Sequence, residues 1–263
     1  MKIAFIGGGA MGEAIIKCLL TERVARSQDI AVSDISLFRR ELLNKEYGVD
    51  TLADTRKTII DRDLVILAVK PQNLPQVMEE VKALAPGQLL LSIVAGATLS
   101  SLCHGLNHSS VIRAMPNMPA QIGEGMTIWT ATAETKQTQK KLAKTILGAL
   151  GKEVYVADEK YLDMATALSA SGPAYVFLFI EALIDAGVHI GLPRDLSQEL
   201  AIQTILGSTN TVEKTGKHPA NLKNMVTSPG GTTTEALLQL EKGGFRSLVI
   251  EAVAAAHKKA ARL

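Results

Sequence analysis

Cysteine is scarce in this chain: Cys18 and Cys103 stand far apart, with no metal-ligand spacing around either. Two isolated thiols cannot build a disulfide framework, so a reducing, cytoplasmic setting is the default expectation, with no metal site. Charge of one sign is just as limited. Lys and Arg number 28 against 26 Asp and Glu, which gives no basis for a nucleic-acid or membrane partner. Lys258, Lys259 and Arg262 read instead as the solvated end of a terminal helix, complementing its dipole. Long apolar runs are missing too. Tyr175 to Ile184 is interrupted by Glu181, and the opening run is too short for a secretion signal, so the expectation is an unexported, soluble protein without a membrane span. No repeat or low-complexity segment appears. What remains is an ordinary globular composition, 47% apolar and 21% charged over 263 residues, a length that suits two domains.

The chain does have a glycine-rich start. Ile3 to Ile6 is a short apolar run with strand character, and Gly7, Gly9 and Gly12 follow in G-x-G-x-x-G spacing, leading into helix formers from Glu13 to Leu20. In a strand–turn–helix of this kind the first glycine serves the turn and the second admits a pyrophosphate to the main chain. The third lets helix and strand pack closely. The helix N-terminus then directs free N–H groups and its positive dipole end at the phosphates. Ile6, Gly7, Gly8, Gly9, Ala10, Met11 and Gly12 are the candidate cofactor residues here.

A second strand, Ile30 to Ser33, ends in Asp34, which follows Gly12 by 22 positions. A Rossmann unit places its ribose-binding acid at this point, although Asp34 could equally cap a helix beginning near Leu37. Arg39 and Arg40 add a guanidinium that could pair with a 2′-phosphate, which the acid would repel. The acid favours NAD and the arginines favour NADP, so both cofactors stay open. Leu64 to Val69 reads as a buried parallel strand stopped by Lys70 and Pro71, at the sheet edge where ligands sit in open α/β folds. Leu89 to Val94 repeats the pattern and ends in Ala95-Gly96-Ala97, small enough for a flat ring to lie against the backbone. Val111 to Met115 leads to a rigid Pro116-Asn117-Met118-Pro119 turn. Met126 to Thr130 and Glu153 to Val156 read as the last strands, separated by a helix from about Glu134 to Leu150.

Beyond Asp158 the texture changes. Lys160 to Ser169, Pro173 to Val188, Arg194 to Thr215 and Phe245 to Arg262 all carry helical periodicity, which divides the chain into domains at 1–158 and 159–263. Leu168 to Tyr175, LSASGPAY, must break or restart a helix at Pro173. Val226 to Leu240 reads VTSPGGTTTEALLQL. Pro229, Gly230 and Gly231 make a turn, and Thr232 with Glu235 fits a capping box. The same hydroxyls and bare amides at a positive helix end also form a cradle sized for a carboxylate. With no acid, base or thiol in it, such a site would work by positioning, with a cofactor supplying the reactive power.

GGGAMG at Gly7 to Gly12, AVKP at Ala68 to Pro71, AMPNMP at Ala114 to Pro119, SGPAY at Ser171 to Tyr175 and TSPGGTTTEAL at Thr227 to Leu237 together resemble the pyrroline-5-carboxylate reductases. The resemblance runs nearly end to end, and Ser228 to Thr233 is its most specific part. Ala170 stands where the family commonly has a glycine. The resemblance implies an α/β Rossmann-type domain followed by an all-α dimerisation and substrate domain. It also implies hydride transfer from NAD(P)H to the C=N carbon of 1-pyrroline-5-carboxylate, giving L-proline, with NADPH the common donor and NADH open. Carried over, Ile6 to Met11 and Ala68, Val69, Lys70 and Pro71 would line the cofactor, with Ala95, Gly96 and Asn117 near the nicotinamide; Gly12, Ser33 and Asp34 join the cofactor candidates from the Rossmann reading, Asp34 with Ser33 before it being a departure from the family pattern. Ser228, Gly230, Gly231, Thr232 and Thr233 would hold the substrate, the Gly231 and Thr232 amides taking its carboxylate, and the Thr233 hydroxyl, reaching the ring nitrogen or the carboxylate, would be the catalytic group. A homodimer is implied, with a decamer of five dimers as the larger assembly. Two rival readings are a β-hydroxyacid dehydrogenase and an NAD(P)-sensing regulator. The first needs a helical lysine, whereas Lys214, Lys217 and Lys223 read as lying in a loop around Gly216 and Pro219; the second needs no carboxylate cradle.

Overall fold

The apolar runs of the first half assemble into one eight-stranded sheet of order β3-β2-β1-β4-β5-β6-β7-β8. Its strands are β1 (Ile3–Ile6), β2 (Ile30–Ser33), β3 (Asp50–Leu52), β4 (Leu64–Leu67), β5 (Leu89–Ser92), β6 (Val111–Met115), β7 (Gly125–Ala131) and β8 (Gly151–Tyr155). A computed structural model describes residues 1–82, 84–260 and 262; positions 261 and 263, at the end of the expected second domain and its last helix, lie outside the described residues. All neighbouring strands run parallel except β6 and β7. Ile3 on β1 pairs with both Ile30 and Leu64, so β1 is central, and the order about it is that of a doubly wound sheet.

Alternation along the strands builds two cores. Ile3, Phe5, Val32, Ile66 and Leu91 face one side with Ile15, Ile16 and Leu19 of α1 (Ala10–Thr21), Leu43 of α2 (Leu37–Tyr47) and Ile146 of α6 (Gln137–Gly148). Ala4, Ile6, Val65, Leu67 and Leu90 face the other, together with Leu74 and Val81 of α4 (Leu74–Val81) and Leu102 and Leu106 of α5 (Leu99–Leu106). Strands buried on both faces need continuous apolar runs, which is why β1, β4 and β5 were readable as strands. Three-residue β3 carries no such run and was not expected: it is an edge strand, half-exposed, followed by the single turn α3 (Thr55–Thr58). Ladder pairing stops at Leu67 and Ser92, two residues short of the expected ends, because the chain there already turns toward the sheet edge.

The second half is helical: α7 (Lys160–Ala165), a π-helical turn (Thr166–Ala170), α8 (Gly172–His189), α9 (Arg194–Thr215), α10 (Pro219–Met225), α11 (Thr232–Lys242) and α12 (Phe245–Ala260). Two compact units result, one formed by residues 1–171 with the chain's last turns from Ala256, the other by Gly172–Ala255. Within the second unit α8 packs on α9, and the Phe179 and Phe245 rings lie 6.0 Å apart. No residue of α8 is buried, and Leu178 and Ile250 are 66% and 68% exposed. An apolar surface of this kind marks a site of association. The chain leaves the π turn at Ser171 and α8 restarts at Gly172 with Pro173 in its first turn, as expected; by length and composition alone, Lys160–His189, of mean hydropathy 1.6, is nonetheless long and apolar enough to cross a membrane. The expectation that no apolar run reaches spanning length is corrected accordingly; Glu181 interrupts the apolar sequence without ending the helix.

Candidate active site

Gly7 leaves β1 with φ +100°, its N–H donating to the Ser33 carbonyl at 2.8 Å, while Ala68 N–H donates to the Ile6 carbonyl at 2.8 Å. The carboxyl ends of β1, β2 and β4 are thereby drawn together, which brings Ile6, Gly7, Ser33, Ala68 and Val69 into one locale. A Cβ on Gly7 would meet the Ala68 carbonyl oxygen at 2.6 Å, and one on Gly12 the Gly7 oxygen at 2.5 Å. A Cβ on Gly9 would meet nothing within 4 Å. Gly9 is also the N-cap of α1, with no side-chain cap over the first-turn amides. Close packing at Gly7 and Gly12, open space at Gly9 and an uncapped helix end fit a bound pyrophosphate.

Asp34 accepts from Gly8 N–H through Oδ2 and from Ser36 N–H through Oδ1, both at 2.8 Å. The N-cap of α2 is Ser36, whose Oγ accepts from Arg39 N–H, so Asp34 braces the glycine turn and leaves the cap to its neighbour. The adjacent arginines diverge. Arg39 donates to the Gly8 carbonyl and, at 2.6 Å, to Glu13 Oε2, whereas Arg40 donates to the Asp34 carbonyl at 2.7 Å and to the Ile35 carbonyl. Tyr47 donates its hydroxyl to Glu13 Oε1 at 3.0 Å. Partial burial pushes the Glu13 carboxyl up, but the hydrogen bonds from Arg39 and Tyr47 and the charges of Arg39 and Lys17 outweigh it and hold the group below the ordinary glutamate value. The Ser33 hydroxyl is turned inward to Thr55 Oγ1.

Lys70 and Pro71 are exposed, and Pro71 opens a short 3-10 turn beyond β4. Gly96, at φ +76°, makes the turn after β5 beside half-buried Ala95. Asn117 is a tie-bar: its Oδ1 accepts from Met126 N–H at 2.8 Å, and its Nδ2 donates to the Ser169 carbonyl at 3.2 Å in the π turn.

In the second unit Gly230 takes φ +70°, and Gly231 N–H donates to the Ser228 carbonyl. The capping box expected from Thr232 and Glu235 does not form. Gly231 is the N-cap, Thr232 is the first residue of α11, and no side chain caps the helix, because the Ser228–Gly231 turn closes straight onto it. The Thr232 and Thr233 amides therefore lie in the first turn, where a helix has no internal acceptors. Thr234 spends its hydroxyl on the Ser228 carbonyl at 2.8 Å; Ser228, Gly230 and Thr232 are exposed, and Gly231 and Thr233 half-buried. Lys214 falls in the last turn of α9 and Lys223 in α10, so the stretch read as a loop is helical on both sides of Gly216.

One cluster escaped the sequence reading. Arg113 is 1% exposed at the centre of β6, where Nη1 donates to Glu159 Oε1 at 2.9 Å and Nη2 to Asp163 Oδ1 at 2.7 Å. Glu159 Oε1 also accepts Leu99 N–H at the start of α5, which follows the Ala95-Gly96 turn. The signal was available: an arginine inside an apolar strand must find a carboxylate. Among the described residues no group of three or more His, Cys, Asp or Glu converges to hold a metal ion.

A glycine cradle at the switch point of a doubly wound sheet, joined to a helical half, defines a dinucleotide-dependent oxidoreductase. Consistent with this class, residues 2–96 match a family described as NADP oxidoreductase, coenzyme F420-dependent, and residues 159–263 match pyrroline-5-carboxylate reductase dimerisation. The chain is 43% identical to a Synechocystis pyrroline-5-carboxylate reductase, over 100% of this chain and 98% of the relative. Among solved structures, a Plasmodium falciparum pyrroline carboxylate reductase with NADP bound superposes with TM-score 0.91 at 34% identity, covering 100% of this chain and 97% of the other. A Coxiella burnetii pyrroline-5-carboxylate reductase gives 0.89 at 36%, covering 98% and 97%. This chain belongs to the pyrroline-5-carboxylate reductase family.

Proposed function

We propose that this chain reduces 1-pyrroline-5-carboxylate to L-proline with NADPH, the last step of proline biosynthesis. The supporting observation is the end-to-end identity of 43% to the Synechocystis reductase, with both the glycine cradle and the Ser228–Thr233 turn intact. NADPH, when bound, supplies the hydride. Ile6 to Gly12, Ser33, Asp34, Ala68 to Pro71, Ala95, Gly96 and Asn117 form its site, Asn117 acting by holding its turn in place. Because the Gly231 N–H is already given to the Ser228 carbonyl, the amides of Thr232 and Thr233, in place of the implied Gly231 and Thr232, hold the substrate carboxylate at the positive end of α11, with Ser228, Gly230 and Gly231 shaping the turn. The Thr233 hydroxyl hydrogen-bonds the ring nitrogen or the carboxylate and so sets the C=N carbon. A protonated imine is electrophilic enough that positioning carries much of the rate, and no strong protein acid is required.

The domains divide at 158 and 159, the second being the substrate and dimerisation half. The exposed apolar surface of α8, α9 and α12 is the homodimer contact and not a lipid-facing one: Glu181 and Asp185 on α8 would be costly in a bilayer. Five such dimers form the decamer, in the cytoplasm. Initial rates with 1-pyrroline-5-carboxylate and each reduced cofactor in turn test the reading. Turnover with NADPH is the expected result, and oxidation of 3-hydroxy acids in its place would overturn it.

A further inference from the structure

Gly8, the residue between the first two motif glycines, has both of its backbone polar groups held by side chains from the β2–α2 segment. Asp34 takes its N–H, and the Arg39 guanidinium takes its carbonyl through both Nε and Nη2. Its Cβ position lies 2.5 Å from Leu43 Cδ1, so α2 presses on the loop from the same side. We infer that Arg39 is a positioning residue for the dinucleotide loop and not the reader of a 2′-phosphate. This inference rests on the cofactor site proposed above.

The argument is geometric first. In a trans peptide the carbonyl of one residue and the N–H of the next point in opposite directions. Fixing the Gly8 carbonyl toward Arg39 therefore fixes the Gly9 N–H on the opposite side, where a pyrophosphate needs a donor. Gly9 has open space around its Cβ position and no cap over the helix it begins. The second part is electrostatic. Glu13 lies in the first turn of α1, where a bare carboxylate would repel a diphosphate, and Arg39 pairs with it at 2.6 Å while Tyr47 holds its other oxygen. One guanidinium thus aims the loop and neutralises the acid beside it. The neighbouring Arg40 is held against the Asp34 and Ile35 carbonyls.

The test is the dissociation constant of NADPH and of NADH, measured by nucleotide fluorescence on the full-length protein without substrate. Arg39→Ala should weaken both nucleotides alike, by about tenfold to a hundredfold, the size of a lost charge-assisted hydrogen bond. The kcat at saturating NADPH should stay within about twofold, since no group at the reacting atoms changes. Glu13→Gln combined with Arg39→Ala should recover part of the loss, because the unpaired carboxylate goes with it. Should Arg39→Ala melt early, Arg39→Gln, which keeps the stem packed, takes its place. Loss of NADPH binding with NADH unaffected would assign Arg39 to the 2′-phosphate and overturn the inference, and so would unchanged binding of both. Failure of the unaltered protein to bind either nucleotide would refute the cofactor site itself, a separate result.

Discussion

Arg113 and Glu159 meet at 2.9 Å across 46 residues of sequence, one from the centre of a buried strand and the other from the residue preceding α7. Glu159 is 28% exposed and Arg113 1%, so water reaches only the carboxylate. Removing the acid leaves a buried cation short of a partner, whereas removing the arginine leaves carboxylates that water can solvate. Glu159→Ala should therefore cost about 3 kcal/mol, and Arg113→Met should cost less. Urea unfolding followed through Trp129, the one tryptophan and 3% exposed, measures both. The opposite order would show that the pair is not what holds this corner.

The glycines of the cradle separate packing from binding. Gly12→Ala drives a Cβ to 2.5 Å from the Gly7 carbonyl oxygen and should destabilise the fold by about 1–3 kcal/mol as well as weaken NADPH. Gly9→Ala meets no atom, so its melting temperature should fall by no more than about 4 °C while NADPH binding drops. Calorimetric melting beside nucleotide titration distinguishes the two.

Glu13 makes stability depend on pH on the acid side. Despite partial burial, its carboxyl is lowered in the folded protein by Arg39 and Tyr47, so its contribution is fully present above the ordinary glutamate value. That contribution is lost as pH falls through the lower folded value. Glu13→Gln removes this part of the slope. The gap in melting temperature between the unaltered protein and the variant should narrow as pH is lowered through that window; a gap constant with pH would contradict the pairing.

Thr233→Ala should lower kcat by about tenfold or more, the range expected when a group that places the reacting atoms is lost. NADPH dissociation should be left nearly as it was. Steady-state rates and cofactor titration on the same preparation check both halves, and unchanged kinetics would remove Thr233 from the mechanism.

The apolar surface of the second unit should disperse when charged. Leu178→Asp with Ile250→Asp, both at well-exposed positions, adds charge where association must exclude water. Light scattering should report a smaller species than for the unaltered chain, and an unchanged mass would place the contact elsewhere.

Sequence alone determined the parts of this protein whose physics is local. A strand buried on both faces must be a continuous apolar run, so β1, β4, β5 and β6 could be read directly, and the glycine spacing announced the turn because only certain backbone angles and close approaches fit it. The Ser228–Thr233 turn was visible as a motif, although its cap was assigned one residue late, since hydroxyl spacing does not reveal which residue closes a turn. Tertiary structure alone decided where the charged side chains end. Adjacent Arg39 and Arg40 look equivalent in sequence, yet one reaches Gly8 and Glu13 and the other the Asp34 carbonyl. Arg113 finds its acids only after β6 and α7 are brought together. Such pairings depend on distances between elements remote along the chain, and no local periodicity encodes them.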